Sequence, residues 1–227
     1  MNKISLLIKK TLCPHKLLYA KKKFGKHPIS ILDIGCGNRS FEITKKWLNI
    51  KKYTGLDKEL WHGDHESYIG FEFIKVNLDK ANCLAKIKNN TYDFIILNHV
   101  IEHLHFGEQL LSQIYNKLAL GGILYVETPS IKTINYPSAK GFLNFYDEPT
   151  HVRAYESKVL AAEMLKIGYR LIRYGTRRDL KRIIVFSPVM VLYNFLFSIP
   201  FLKTIDVRGL WDLLGVAEYV VATKYQK

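Results

Sequence analysis

Read for the spacing of apolar and polar positions, the chain resolves into a regular series of short elements from residue 29 onward. Apolar runs of strand length fall at 29–34, 52–56, 71–76, 92–97 and 123–128. Between them, apolar residues at helical spacing predict helices near 40–48, 80–88 and 106–118. The last carries Phe106, Leu110, Leu111, Ile114 and Leu118 on one face and is stopped by Gly121 and Gly122. A helix near 156–167 ending at Gly168, a strand near 169–174 and a closing strand near 217–223 (Tyr219, Val220, Val221, Ala222) follow, and the last two strands are expected to be neighbours. Alternating strands and helices imply an α/β protein whose mostly parallel sheet is covered by helices on both faces.

Two segments depart from this pattern. Residues 1–28 mix Leu and Ile with Lys9, Lys10, Lys16, Lys21, Lys22 and Lys23, and read as one or two short basic helices that cap the core or dock elsewhere. Residues 183–202 are apolar almost throughout and follow Arg177, Arg178, Lys181 and Arg182. That length approaches a bilayer-spanning helix. Pro188, Pro200, Ser187, Asn194 and Ser198 interrupt it, so a pair of short helices is the better expectation. The predicted organisation is a basic N-terminal helical segment (1–28) and one domain (29–227). A basic and apolar helical insertion (177–210) precedes the last strand.

Composition narrows this picture only a little. With 227 residues, 48% of them hydrophobic, the chain can bury one sizeable core, and two full domains would be cramped. Cys13, Cys36 and Cys83 are odd in number and far apart, which suggests neither a disulfide framework nor a paired zinc site. No metal site is expected, and a reducing cytoplasm fits best. Lys3, Lys9 and Lys10 interrupt the apolar N-terminal residues, so no signal peptide is expected. The net charge of +14 favours an anionic partner such as nucleic acid, a phosphorylated substrate or an anionic membrane, and equally fits a lysine-rich compositional bias.

The chemistry concentrates at strand ends. Ile31, Leu32, Asp33 and Ile34 lead into Gly35, Cys36 and Gly37, where glycine permits positive φ and a close approach of the main chain to a ligand. No Gly-Lys-Ser/Thr follows, which removes a P-loop, and Ser40 stands where a dinucleotide fingerprint needs its third glycine. Asp57 ends the next strand, where a carboxylate can accept both hydroxyls of a ribose, as serves NAD and other adenosine cofactors alike. The third strand ends at Asn77, Leu78 and Asp79. The fourth ends at Asn98, His99, Val100, Ile101, Glu102, His103 and Leu104.

Four strand ends in this order, within about residues 29–130, resemble the motifs of class I S-adenosylmethionine (SAM) methyltransferases. The resemblance implies a Rossmann-like seven-stranded sheet of order 3-2-1-4-5-7-6 with SAM as cofactor. It further implies that Asp33, Gly35 and Gly37 meet the cofactor and that Asp57 holds its ribose. Asn77, Leu78 and Asp79 would surround the adenine, and Asn98 and His99 would flank the cofactor. Arg39 departs from the pattern where many members have a third glycine, and either adds a positive group near the methionine carboxylate or points outward.

A second constellation runs from Asn144 to Tyr155, a charged and aromatic loop expected over the C-terminal edge of the sheet, where open α/β proteins bind ligands. Its string FYDEPTHVRAY is similar to a signature of SAM methyltransferases associated with bacterial surface polysaccharide and lipid-linked sugar assembly. That similarity implies methylation of an oxygen on a sugar or phosphate-bearing glycan intermediate, either a small molecule or lipid-linked. A sulfonium donor needs in-line placement, and a hydroxyl acceptor also needs a base. His151 is the candidate base with Asp147 orienting it or sharing the work, and His103 is the rival. Arg153 could hold a phosphate or carboxylate bidentately, with Tyr146, Tyr155 and His103 lining the acceptor site. The basic approach to 183–202 would suit peripheral docking at the inner membrane face. Nucleic acid is the less expected acceptor, since no Asn-Pro-Pro-Tyr type motif follows the fourth strand. A non-catalytic SAM-binding protein is the remaining alternative.

Overall fold

Seven strands form one sheet of order β3-β2-β1-β4-β5-β7-β6 in the computed structural model, which describes residues 13–60, 70–138, 143–178, 183, 184, 188 and 211–225. The strands are β1 (Ile29–Ile34), β2 (Ile50–Asp57), β3 (Phe71–Lys75), β4 (Tyr92–Asn98), β5 (Leu118–Pro129), β6 (Arg170–Thr176) and β7 (Ala217–Thr223). The helices are α1 (His15–Phe24), α2 (Ser40–Lys45), α3 (Gly107–Lys117), α4 (Ser157–Ile167) and the single turn α5 (Trp211–Leu214). Strands β1 to β5 are parallel to one another, whereas β7 runs antiparallel to both β5 and β6. The predicted strand order is therefore the observed one, and the last two strands are neighbours.

Period-two alternation sorts the side chains of each central strand between two cores. Ile29 and Ile31 of β1, Phe94 and Ile96 of β4, and Ile123 and Tyr125 of β5 pack against Leu17 and Ala20 of α1 and Phe41 of α2. Their alternates Leu32, Ile34, Ile95, Leu97, Leu124 and Val126 pack against Leu110, Leu111 and Ile114 of α3 and Leu160, Ala161 and Met164 of α4. The basic helix α1 is thus part of the sheet's cover. Leu17 is fully buried, worth about 1.5–3 kcal/mol of apolar burial, while Lys21, Lys22 and Lys23 gather in the last turn, where the helix dipole favours positive charge.

Two sequence expectations are corrected. No helix forms at 80–88: Asn82 takes φ 55°, and the segment continues as i→i−3 turns through Ala85 to Asn82 and Ile87 to Leu84. A left-handed residue breaks the α-helical ladder at that point. Helix α3 leaves Phe106 exposed outside its N-terminus. Leu118 already belongs to β5, with Gly121 and Gly122 at an irregularity of the β4–β5 register. The apolar insertion expected at 177–210 lies outside the described residues, apart from Arg177, Arg178 and residues 183, 184 and 188. Among the described residues, no helix is long and apolar enough to cross a membrane.

Candidate functional site

The parallel register brings the C-terminal ends of β1, β2 and β4 side by side, pairing Asp33 with Gly55 and with Ile96. Beyond Ile34 the chain turns at Gly35 and Gly37, with φ of 69° and 52°. A Cβ on Gly35 would stand 2.2 Å from Val100 Cγ2, so only glycine fits between the turn and the segment after β4. The amides of Gly35 and Cys36 donate to the Leu56 carbonyl at 2.7 and 3.1 Å, and the Gly37 amide donates to Asp57 Oδ2 at 2.9 Å. Arg39 also takes a left-handed conformation, φ 65°, immediately before α2. This is the geometry glycine would occupy, and the Arg39 side chain points outward to Glu42 at 3.4 Å.

A cleft of about 440 Å³ opens beside this turn, lined by Gly35, Asp57, Asn77, Leu78, Asp79, His99, Val100, His103 and Leu104. Its volume lies in the small-molecule range. The Asp57 carboxylate is held by the amides of Gly37 and Lys58. Asn77 Oδ1 accepts the Asp79 amide at 3.0 Å, and His105 donates to Asp79 through its amide at 2.9 Å. Most residues expected at the cofactor therefore converge here. Asp33 does not line the cleft: it is buried beneath the turn, where Oδ2 accepts the hydroxyls of Ser40 and Tyr53. It ties β1 to α2 and β2, which makes it a support of the turn. Asn98 lines a neighbouring cleft with His15, Lys16, His99 and Arg177.

His99 is common to both clefts and to a third cavity. It takes φ 55°, a conformation costly for a residue with a Cβ. Its amide donates to the Glu127 carbonyl at 2.8 Å, and its ring bridges Glu102 and Glu127, each at 3.2 Å. Burial alone would lower the imidazole pKa, but hydrogen bonds to these two carboxylates outweigh it and hold the group up at about 9. The ring is therefore a cation at neutral pH. Burial would raise the Glu127 carboxyl, yet the adjacent Arg177 guanidinium and the His99 ring hold it well below the usual carboxylate range. Arg177 bonds Glu127 at 2.7 Å and Asp212 at 3.0 Å. Its side chain is only 12% exposed, so it cannot contribute to the basic membrane patch expected of it.

The third cavity, about 220 Å³, is the one the loop 143–155 encloses, and His99, Glu102, His103, Thr133, Asn144, Phe145, Glu148 and His151 line it. His151 and His103 face each other with ring centroids 4.8 Å apart. The other loop expectations are corrected. Asp147 does not orient His151: its carboxylate accepts the Asn144 amide at 3.0 Å in a capping box and the Ser138 hydroxyl at 2.5 Å. The partner of His151 Nδ1 is the Phe145 carbonyl at 2.6 Å. Arg153 is exposed and bonded to Glu108 at 2.6 Å. Tyr146 is 67% exposed, and neither it nor Arg153 lines the cavity. Tyr155 is core, its hydroxyl buried with no hydrogen-bond partner among the described residues.

Glu102 and Glu127 carry this site without having been singled out from the sequence, and Arg177, expected at a membrane surface, is the residue that pairs with Glu127. Glu102 stood in plain view beside His103, but the link from Glu127 to Arg177 joins β5 to the chain after β6 and has no local signal.

The sheet order, the glycine turn and the carboxylate-lined cleft together define a class I SAM-dependent methyltransferase. The chain matches the model of the methyltransferase-domain family over residues 8–174 and belongs to that family, an enzyme family whose cofactor is SAM. No curated protein sequence matches the chain. Among solved structures it is similar to a Haloferax volcanii protein in complex with the Trm112 methyltransferase activator (12% identity, TM-score 0.63, 93% of this chain and 90% of that one). It is also similar to a SAM-dependent methyltransferase from Archaeoglobus fulgidus (20% identity, TM-score 0.54, 98% and 100%). A third is Haemonchus contortus phosphoethanolamine N-methyltransferase 2 in complex with SAM (15%, 0.61, 93% of this chain and 52% of that one).

Proposed function

We propose that this methyltransferase transfers its methyl group to an oxygen of a sugar or phosphate-bearing intermediate of cell-surface glycan synthesis. One observation carries the reading of an oxygen acceptor: the cavity under the 143–155 loop meets the cofactor cleft at His99 and His103, which line both. A hydroxyl seated there would lie beside the SAM methyl group and within reach of the His103 and His151 imidazoles, which can accept its proton. In this reading Asp57 holds the ribose, Asn77, Leu78 and Asp79 surround the adenine, and the Gly35–Gly37 turn gives the methionine portion room. The glycan class rests on the similarity of residues 145–155 to methyltransferases of surface-polysaccharide assembly. A lipid-linked acceptor would bring the enzyme to the inner membrane face through residues 178–202, with Arg177 left out of the contact.

Methyl-labelled SAM, offered with nucleotide sugars, lipid-linked sugar phosphates and RNA in parallel, tests this. Label in a sugar-containing product is expected, and transfer to RNA alone would overturn the glycan reading.

A further inference from the structure

Glu102, His103 and His151 line the cavity under the 143–155 loop together, and no donor among the described residues satisfies the buried carboxylate oxygen of Glu102. Glu102 is fully buried; its Oε1 accepts from His99 at 3.2 Å, while Oε2 is buried with no hydrogen-bond partner among the described residues. His151 Nδ1 faces the Phe145 carbonyl at 2.6 Å. A carbonyl can only accept, so Nδ1 carries the proton and Nε2 is left with a lone pair. His103 is set in the same way. The Thr150 hydroxyl donates its one hydrogen to Glu148 Oε1 at 2.8 Å, so toward His103 Nδ1, at 2.8 Å, it can only accept. His103 Nε2 is likewise left as the free nitrogen. One ligand-capable atom from each of Glu102, His103 and His151 lies within 4.8 Å of the other two.

We propose that Glu102 Oε2 and the Nε2 atoms of His103 and His151 bind a divalent first-row transition-metal ion. Two imidazoles and a carboxylate suit such ions, and three protein ligands leave positions open for water or substrate. The Nδ1 bonds to a backbone carbonyl and a hydroxyl are the outer partners that fix ligating histidines. Metal–ligand bonds of about 2.0–2.2 Å put tetrahedral ligands about 3.4 Å apart, so a set spread within 4.8 Å closes by up to about 1.4 Å on binding.

The consequence for catalysis rests on the reading of an oxygen acceptor given above. An acceptor hydroxyl in the open position loses its proton to solvent more readily because the ion stabilises the oxyanion. That oxygen then takes the methyl group from the sulfonium, and S-adenosylhomocysteine leaves. With the ion bound, His151 is a ligand, and no protein base is needed.

Equilibrium dialysis of the chelator-treated full chain against Zn²⁺, with Co²⁺ absorption as a second readout, tests the site. One equivalent bound is expected, weakened about tenfold or more by His151→Ala and by Glu102→Gln, and unchanged by His27→Ala at an exposed histidine elsewhere. Absence of stoichiometric binding, or binding equal in wild type and His151→Ala, would overturn it. Since Glu102→Gln also disturbs His99, His151→Ala decides if the former fails to fold. Calorimetry with SAM on the same samples separates the two readings. SAM binding without metal sinks the metal site alone, and metal binding without transfer to any sugar acceptor sinks the glycan reading alone.

Discussion

The Gly37 amide reaches Asp57 Oδ2 at 2.9 Å, so the carboxylate at the end of β2 both closes the glycine turn and lines the cofactor cleft. Asp57→Ala removes the proposed ribose acceptor and the tether together. We expect SAM affinity to fall by about tenfold to a hundredfold, on the scale of one or two hydrogen bonds to a charged group. Asp57→Asn keeps an oxygen for the Gly37 amide and should lose less. Calorimetric titration with SAM measures both, and equal losses would show that the tether contributes nothing.

The two turn glycines separate steric from conformational constraint. Both have positive φ, but a Cβ meets Val100 Cγ2 at 2.2 Å on Gly35 and nothing within 4 Å on Gly37. Gly37→Ala should cost about 1–2 kcal/mol of folding stability for the left-handed conformation, and Gly35→Ala clearly more. Denaturant unfolding of the two variants gives the ranking, and a larger loss at Gly37 would contradict it.

Arg177 bridges Glu127 and Asp212 in a buried setting, and removing one member of such a group strands the others. Arg177→Ala should destabilise by about 3–5 kcal/mol. It should also leave any binding to anionic liposomes unchanged among molecules that stay folded, whereas loss of Arg178, Lys181 and Arg182 should weaken it. Urea unfolding and vesicle sedimentation are the checks. Reduced sedimentation of folded Arg177→Ala would restore this residue to a membrane surface.

Tyr155 is a test of burial against sequence pattern. Its hydroxyl is buried without a hydrogen-bond partner among the described residues, and burial pushes its pKa up to about 12, so the phenol keeps its proton near neutrality. Tyr155→Phe should leave turnover unchanged and stability within about 1 kcal/mol of wild type, or slightly higher, because no hydrogen bond is lost. A large fall in kcat would return Tyr155 to the acceptor site.

The contrast between the two constellations explains what could be read from the sequence. At the cofactor cleft the chemistry sits at strand ends, so locating Asp57, Asn77 and Asp79 requires only knowing where β2 and β3 stop and that their neighbours are parallel. The strand periodicity supplies both. In the loop from Asn144 to Tyr155, no periodicity says which way a side chain faces. Asp147, Arg153 and Tyr155 had the chemistry of a site but are committed to a capping box, a surface ion pair and the core. The helix expected at 80–88 failed for a related reason, since its apolar spacing carried no information about the left-handed Asn82.

His151 and Arg153 are two residues apart, and the structure assigns them opposite fates under substitution. His151 lines the cavity under the loop and not the cleft beside the glycine turn, and its Nδ1 is bonded to the Phe145 carbonyl, which leaves the lone pair on Nε2. His151→Ala should therefore lower kcat by about 100-fold or more, whether the imidazole works as base or as metal ligand, with SAM affinity unchanged. Arg153→Ala gives up an exposed pair with Glu108 and a cation–π contact with the Tyr155 ring at 5.2 Å, and should leave kcat and the acceptor KM near wild type. Steady-state kinetics with a confirmed acceptor, alongside SAM calorimetry, resolve the pair. Near wild-type turnover in His151→Ala would remove the imidazole from the chemistry, and a raised acceptor KM in Arg153→Ala would mean that its guanidinium leaves Glu108 when substrate arrives.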